Sequence, residues 1–202
     1  MQQTEIAGVQ RGEPMTRDKA DQQKPNPDFM AGVGYRENCT ACTVAYEARL
    51  RGFDVEAQSK EGNAKMDELS VSPNMAWIDT KTGKAPDFVT SGGALTADEL
   101  KKHLEQEVEP GGRYVFGFDW RSRYGAKHIV SVDRNTEGLL RLYDPQSGRT
   151  YTGAGLDAYL KDIKLFDGTG SDTRPAPAKL LRVDDKPFNL DIVNHVLRKA
   201  RL

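Results

Sequence analysis

Asn38-Cys39-Thr40-Ala41-Cys42-Thr43-Val44-Ala45-Tyr46-Glu47-Ala48-Arg49-Leu50-Arg51-Gly52 is the stretch on which the fold turns. Ala41, Val44, Ala45 and Ala48 recur at helical spacing, which predicts a helix over residues 40–51. Asn38 is a favoured cap just ahead of it and Gly52 a natural stop. Cys39 directly follows the expected cap, so its sulfur would sit at the positive end of the helix dipole. That placement stabilises a thiolate, the nucleophilic form of cysteine. Cys42 lies one turn further in, where the dipole effect has faded and side chains usually pack inward.

Downstream the period changes. Residues 96–106 still read as a helix, with Thr96 and Glu99 forming a capping box and Leu100 and Leu104 an apolar stripe. Residues 113–119, 128–133 and 138–143 then alternate and are rich in aromatic and β-branched types, so they read as strands. The compact connection 133–138 predicts an antiparallel hairpin between the last two. His128 opens the second strand, and Asp144 follows the third, just ahead of the turn Pro145-Gln146-Ser147-Gly148. Residues 156–163 look helical, 179–183 look like a returning strand and 189–200 like a closing helix. Helices followed mostly by strands indicate the α+β class.

Cys39, His128 and Asp144 thus supply a nucleophile, a base and a carboxylate able to fix the imidazole tautomer and stabilise the imidazolium. Each has an ordinary alternative. A helix-borne cysteine is commonly a small buried hydrophobe, a strand histidine a hydrogen-bonded one, and an aspartate before proline a turn-former. Their joint placement, with the nucleophile on an early helix and its partners on a later sheet, raises the chemical reading above these. A redox pair formed by Cys39 and Cys42 normally follows a strand, and residues 34–37 give little sign of one.

The composition narrows the rest. A chain of 202 residues suits one well-cored domain with appendages. Lys+Arg 29 against Asp+Glu 30 leaves no basic excess for a nucleic-acid backbone. No apolar run is long enough to span a bilayer, and residues 1–14 carry no basic stretch followed by an apolar core, so no secretory signal is expected. Two cysteines three apart make no disulfide framework, and His103, His128 and His195 match no zinc spacing. No metal or other cofactor is expected. Residues 1–25 are polar and without apolar period, which predicts a disordered leader or linker ahead of a catalytic domain over 26–202.

The Asn38-Cys39-x-x-Cys42 helix, Gly125-Ala126-Lys127-His128-Ile129-Val130 and Leu142-Tyr143-Asp144-Pro145-Gln146-Ser147-Gly148 together resemble the papain-fold toxins, often labelled toxin glutamine deamidases. Similar sequences occur as effector domains of bacterial polymorphic toxins and in some phage head proteins. The resemblance covers roughly residues 26–184. It implies a papain-like cysteine hydrolase fold, with the nucleophile on an N-terminal helix packed on an antiparallel sheet. Cys39 maps to the nucleophile, His128 to the base and Asp144 to the orienting acid, with Gln146 an alternative polar partner. Asn38 is implied as an oxyanion donor beside the Cys39 backbone N–H; papain uses an upstream Gln, and residues 32–37 contain none. Cys42 stays an alternative nucleophile, because the papain motif also has two cysteines at this spacing and uses the second.

The function implied is an antibacterial effector that attacks an amide of a target-cell protein, by peptide cleavage or by glutamine deamidation. Trp77, Trp120, Tyr124, Arg121 and Arg123 are candidates to line its cleft. A larger carrier or secretion machine would deliver it, it would act in the target-cell cytoplasm, and a cognate immunity protein would protect the producer. The rival class is a non-catalytic phage or secretion-structure module that keeps the fold. The presence of all three triad residues argues against it.

Overall fold

The computed structural model describes residues 3–21, 24–91, 93–94, 96–123, 125–165 and 177–201. These fall into two compact units. The first comprises Met1–Asp87, Asp144–Arg149 and Val183–Leu202; the second comprises Phe88–Tyr143 and Thr150–Arg182.

The first unit contains β1 (Glu5–Ile6), β2 (Val9–Gln10), α1 (Arg17–Ala20), α2 (Cys39–Leu50), β3 (Val55–Ala57) and α3 (Ala64–Val71). The second contains β4 (Val89–Thr90), α4 (Ala97–Glu107), β5 (Tyr114–Asp119), β6 (Lys127–Arg134), β7 (Leu140–Asp144), β8 (Arg149–Tyr151), α5 (Gly153–Lys161) and β9 (Lys179–Arg182), apart from the turn Asp144–Arg149 between β7 and β8, which belongs to the first. α6 (Leu190–Val196) and β10 (Leu197–Lys199) complete the first unit.

Helix α2 is the axis of the first unit and is buried from Thr40 to Arg49. Small residues at Ala41, Ala45 and Ala48 let neighbours approach closely, and the buried charges are paired. Glu47 takes the Arg51 guanidinium at 2.7 Å, and Arg49 is held by Asp54 and by the carbonyls of Lys19, Ala20 and Val55. An ion buried without such partners would be strongly destabilising. The helix stops at Gly52, whose φ of 100° suits glycine and whose missing Cβ would otherwise meet the Gly12 carbonyl at 2.3 Å.

The stretch expected to be a disordered leader is instead ordered in its described part. β1 and β2 form a hairpin with Ala7 and Gly8 both in left-handed backbone, as tight two-residue turns require. Ile6 and Ala20 are fully buried. Gly12 N–H donates to the Gly52 carbonyl, and Gln3 exchanges two hydrogen bonds with the Phe188 backbone. Elements this short leave no periodicity in the sequence; their order comes from partners far along the chain.

Two further differences have similar causes. α3 lies where the sequence reading assigned no element, and it forms because Asn63 caps it through Met66 N–H and Met66 and Leu69 anchor it. The closing helix ends at Val196, and residues 197–199 pair as β10 with β3. Arg198 and Arg201 both bind Glu56 and Asp28 there, which fixes the strand.

In the second unit the sheet order is β4-β9-β5-β6-β7-β8, with the β5–β6, β5–β9, β6–β7 and β4–β9 pairs antiparallel. The expected β6–β7 hairpin is present, in the register Val132↔Leu142. Phe116, Phe118, Val130, Val132, Leu140, Leu142 and Leu180 make one core with Leu100 and Leu104 of α4 and Leu156 and Leu160 of α5. The Thr96–Glu99 capping box starts α4 as anticipated.

Candidate active site

Helix α2 begins at Cys39, which is partly exposed, whereas Cys42 is completely buried. The fate of the Asn38 side chain explains this end of the helix. Asn38 stands at the cap position, but its side chain makes no capping bond. Its amide lies in the interior, 1% exposed. Nδ2 donates to Asn26 Oδ1 at 3.2 Å and to the Gln58 carbonyl at 2.9 Å. Oδ1 accepts the Cys42 thiol at 3.2 Å and Gln146 Nε2 at 3.3 Å. Two donors and two acceptor sites are the whole capacity of an amide. Both side-chain N–H groups of Asn38, which was expected to serve a developing oxyanion, are thus engaged within the interior.

The turn Asp144–Arg149 is held to this end of α2. Gln146 reaches Asn38 through its side chain, and its own carbonyl accepts from Asn26 Nδ2 at 3.0 Å. Within the turn, Asp144 Oδ1 accepts from Gln146 N–H at 3.0 Å, Oδ2 from Ser147 Oγ at 2.8 Å, and the Asp144 carbonyl from Gly148 N–H. An aspartate bonding the backbone two residues on is an Asx turn, and it fixes the carboxylate. Asp144 and Gln146 are both buried. Gln146, expected as an alternative catalytic partner, has its amide directed at Asn38.

The Cys42 thiol is pushed well above its ordinary range, first by burial and then by the negative charge that Cys39 and Asp144 place near it. It stays protonated and serves as the donor to Asn38. A buried, protonated thiol is a poor nucleophile.

His128 belongs to the second unit and is half-buried near the start of β6, opposite Phe118 on β5. Alternation places it in the row of Val130 and Val132, which face the core. The Trp120 ring stacks on the imidazole at 5.7 Å with 23° between planes, and Phe118 meets its edge at 5.9 Å. Tyr159 packs against both rings, and the Arg123 guanidinium lies over Trp120 at 5.7 Å. Trp120 is thus a direct neighbour of His128, and Arg123 a neighbour of Trp120. Arg121 is exposed in the same loop. Trp77 does not line a cleft: it is buried against Phe188 at 4.8 Å, with the Arg51 guanidinium over both rings. Tyr124 lies outside the described residues.

A family profile described as papain fold toxin 1, glutamine deamidase, matches residues 37–149. The chain belongs to this family. The match covers more than half of the chain and includes Cys39, Cys42, His128, Asp144 and Gln146. This papain-fold toxin is accordingly a cysteine hydrolase with a papain-like fold. Among solved structures, the crystal structure of the Pseudomonas avirulence protein AvrPphB is similar over 79% of this chain and 69% of that one, at 13% identity and a TM-score of 0.31. No curated protein matches. Among the described residues, no cluster of His, Cys, Asp and Glu is placed to hold a metal ion, and no helix is long and apolar enough to cross a membrane.

Sequence reasoning missed Asn26. It is fully buried and hydrogen-bonded to Tyr35, Asn38 and Gln146. The signal that could have found it is an asparagine upstream of a nucleophile motif whose own asparagine needs a partner.

Proposed function

We propose that this papain-fold toxin deamidates a glutamine side chain of a target protein, with Cys39 as nucleophile, His128 as general base and then acid, and Asp144 orienting the imidazole. The observation that carries the reading is the division between the two cysteines. Cys39 is partly exposed at the first residue of α2, whereas Cys42 is sealed and held protonated. The register of β6 and β7 supports the other two roles. It aligns the row that ends in His128 with the row Leu140, Leu142, whose strand ends at Asp144.

The Cys39 thiolate adds to the side-chain carbonyl carbon of the glutamine, and the carbonyl π pair moves to oxygen. Collapse of this oxyanion breaks the C–N bond, and the nitrogen leaves as ammonia after taking the proton carried by His128. Water, deprotonated by the same imidazole, then attacks the thioester. The Cys39 sulfur leaves, and the glutamine has become glutamate. Backbone amides present the same carbonyl chemistry, so selection falls to the pocket: deamidation needs a narrow entry for one side chain. The family description favours the side-chain amide.

The biological setting proposed is antibacterial. A larger carrier delivers the domain, it acts on a protein in the target-cell cytoplasm, and a cognate immunity protein blocks it in the producer. Incubating target-cell extract with the purified protein, and separately with a Cys39→Ala control, tests the chemistry by peptide mass spectrometry. The expected result is a mass gain of about one dalton at defined glutamines with the active protein only. New peptide termini instead would transfer the reading to proteolysis, and identical spectra from the two proteins would overturn it.

A further inference from the structure

Asn26, Asn38 and Gln146 form a buried amide relay that no step of the deamidation uses. We propose that Asn26 is a positioning residue, which through Gln146 locks the turn bearing Asp144 onto the first turn of α2, where Cys39 stands. The proposal rests on the catalytic roles of Cys39, His128 and Asp144 given above.

Three observations bear on it. First, the relay is sealed: Asn26 is 0% and Asn38 1% exposed. Polar groups so deep are destabilising unless each is paired, and here the pairing is nearly complete. Second, the bonds converge from remote segments. Asn26 Nδ2 divides between the Tyr35 carbonyl at 2.9 Å and the Gln146 carbonyl at 3.0 Å, while its Oδ1 takes Asn38. Residues 26, 35, 38, 58 and 146 are thereby tied by two amide side chains. Third, the point held is specific. The backbone of Gln146 is held at its N–H by the Asp144 carboxylate and at its C=O by Asn26. Moving that residue moves the carboxylate.

A catalytic carboxylate must hold its place to within a fraction of an ångström, because misplacement costs rate even when the fold survives. Turns on their own are among the least rigid parts of a fold. The Asp144–Arg149 turn lacks that weakness because the relay bonds it on both its backbone and its side chain. Asn26 touches no reacting atom, and acts through Gln146 and Asn38.

The test needs no substrate. Iodoacetamide labelling of Cys39, followed by peptide mass spectrometry across pH, reads the thiolate–imidazolium pair directly, since a paired cysteine reacts at about pH 6 where a free one does not. The variants are Asn26→Ala and the more peripheral Gln146→Ala, each checked for folding by circular dichroism. A folded Asn26→Ala protein is expected to lose about ten-fold in labelling rate at about pH 6 while keeping the rate above about pH 9, where any thiol is ionised. Gln146→Ala, which keeps the backbone bond to Asn26, is expected to lose less. A folded Asn26→Ala protein with the wild-type profile overturns the proposal. So does a wild-type Cys39 that labels like a free thiol, since there would be no pair to position. Unfolding of both variants also overturns it, by making the relay purely structural. If labelling shifts as expected while the wild-type protein converts no glutamine, the positioning role stands and the deamidase assignment falls.

Discussion

The surroundings of Cys39 and Asp144 are built from buried amides, whereas the surroundings of His128 are built from aromatic rings. At the first, Asn26, Asn38 and Gln146 hold the backbone at both flanks through directional bonds. At the second, Trp120, Phe118 and Tyr159 pack faces and edges around one imidazole. On the roles proposed for Cys39, Asp144 and His128, the contrast follows from the tasks. A nucleophile at a helix end and a carboxylate on a turn must be placed, and hydrogen bonds place atoms. An imidazole must accept and release a proton, and stacking fixes its plane without taking a ring nitrogen.

The comparison breaks most sharply at the two cysteines. Cys39→Ala is expected to lower glutamine conversion by about 10⁴-fold or more, the scale on which loss of a covalent nucleophile is felt. Cys42→Ala should retain activity within about three-fold, because that thiol is a buried donor. Rate measurements on a peptide carrying the modified glutamine settle both, and the reverse pattern would make Cys42 the nucleophile.

Asp144→Asn comes next. The amide keeps the shape and loses the charge that stabilises the imidazolium, so kcat is expected to fall by about 10²- to 10⁴-fold with folding intact. Tm and kcat measured together check this. A kcat within two-fold of wild type would leave Asp144 as no more than the turn-former its sequence position also suits.

Asn38→Asp attacks the amide side of the contrast through stability. The substitution removes both donors and buries a carboxylate against the Asn26 Oδ1 and the Gln58 carbonyl. A loss of about 3 kcal/mol or more in urea unfolding is expected. The aromatic side should respond far more mildly. Trp120→Leu removes one stacked face, and a drop in kcat of about three- to ten-fold is expected, with Trp120→Phe closer to wild type.

What the sequence made legible follows the same division. Helix α2, strands β5, β6, β7 and β9 of the second unit and the positions of Cys39, His128 and Asp144 depend on local periodicity and cap or turn chemistry, and all could be read from neighbouring residues, whereas the short β4 and β8 could not. The relay could not. Asn38 has the composition of a cap, and local preference assigns its side chain to the helix N–H groups. It is diverted because Asn26, Gln58 and Gln146 arrive from far along the chain. The β1–β2 hairpin, α1 and β10 were hidden for a related reason, since Arg49, Gly52, Phe188 and Glu56 order segments too short to declare themselves. Trp77 read as a rim residue and is core, because the partners that cover it, Arg51 and Phe188, are remote in sequence.

The smallest expected effect is a slope. Burial raises the Cys42 thiol well above its ordinary value of 9.0 in the folded protein, whereas the unfolded chain leaves it near that value. Below about pH 8 both states hold the proton, and the thiol's hydrogen bond to Asn38 contributes its full stabilisation. As pH rises through about 9, the unfolded state releases the proton while the folded state keeps it. The folded state then binds more protons, and stability falls with increasing pH until the folded thiol itself ionises. Cys42→Ala lacks this group. Its Tm should therefore lie below wild type at about pH 7 and draw level as the pH passes about 9 to 10. Parallel Tm curves over this range would mean that Cys42 is less isolated from solvent than its surroundings indicate, and the division between the two cysteines would lose its physical basis.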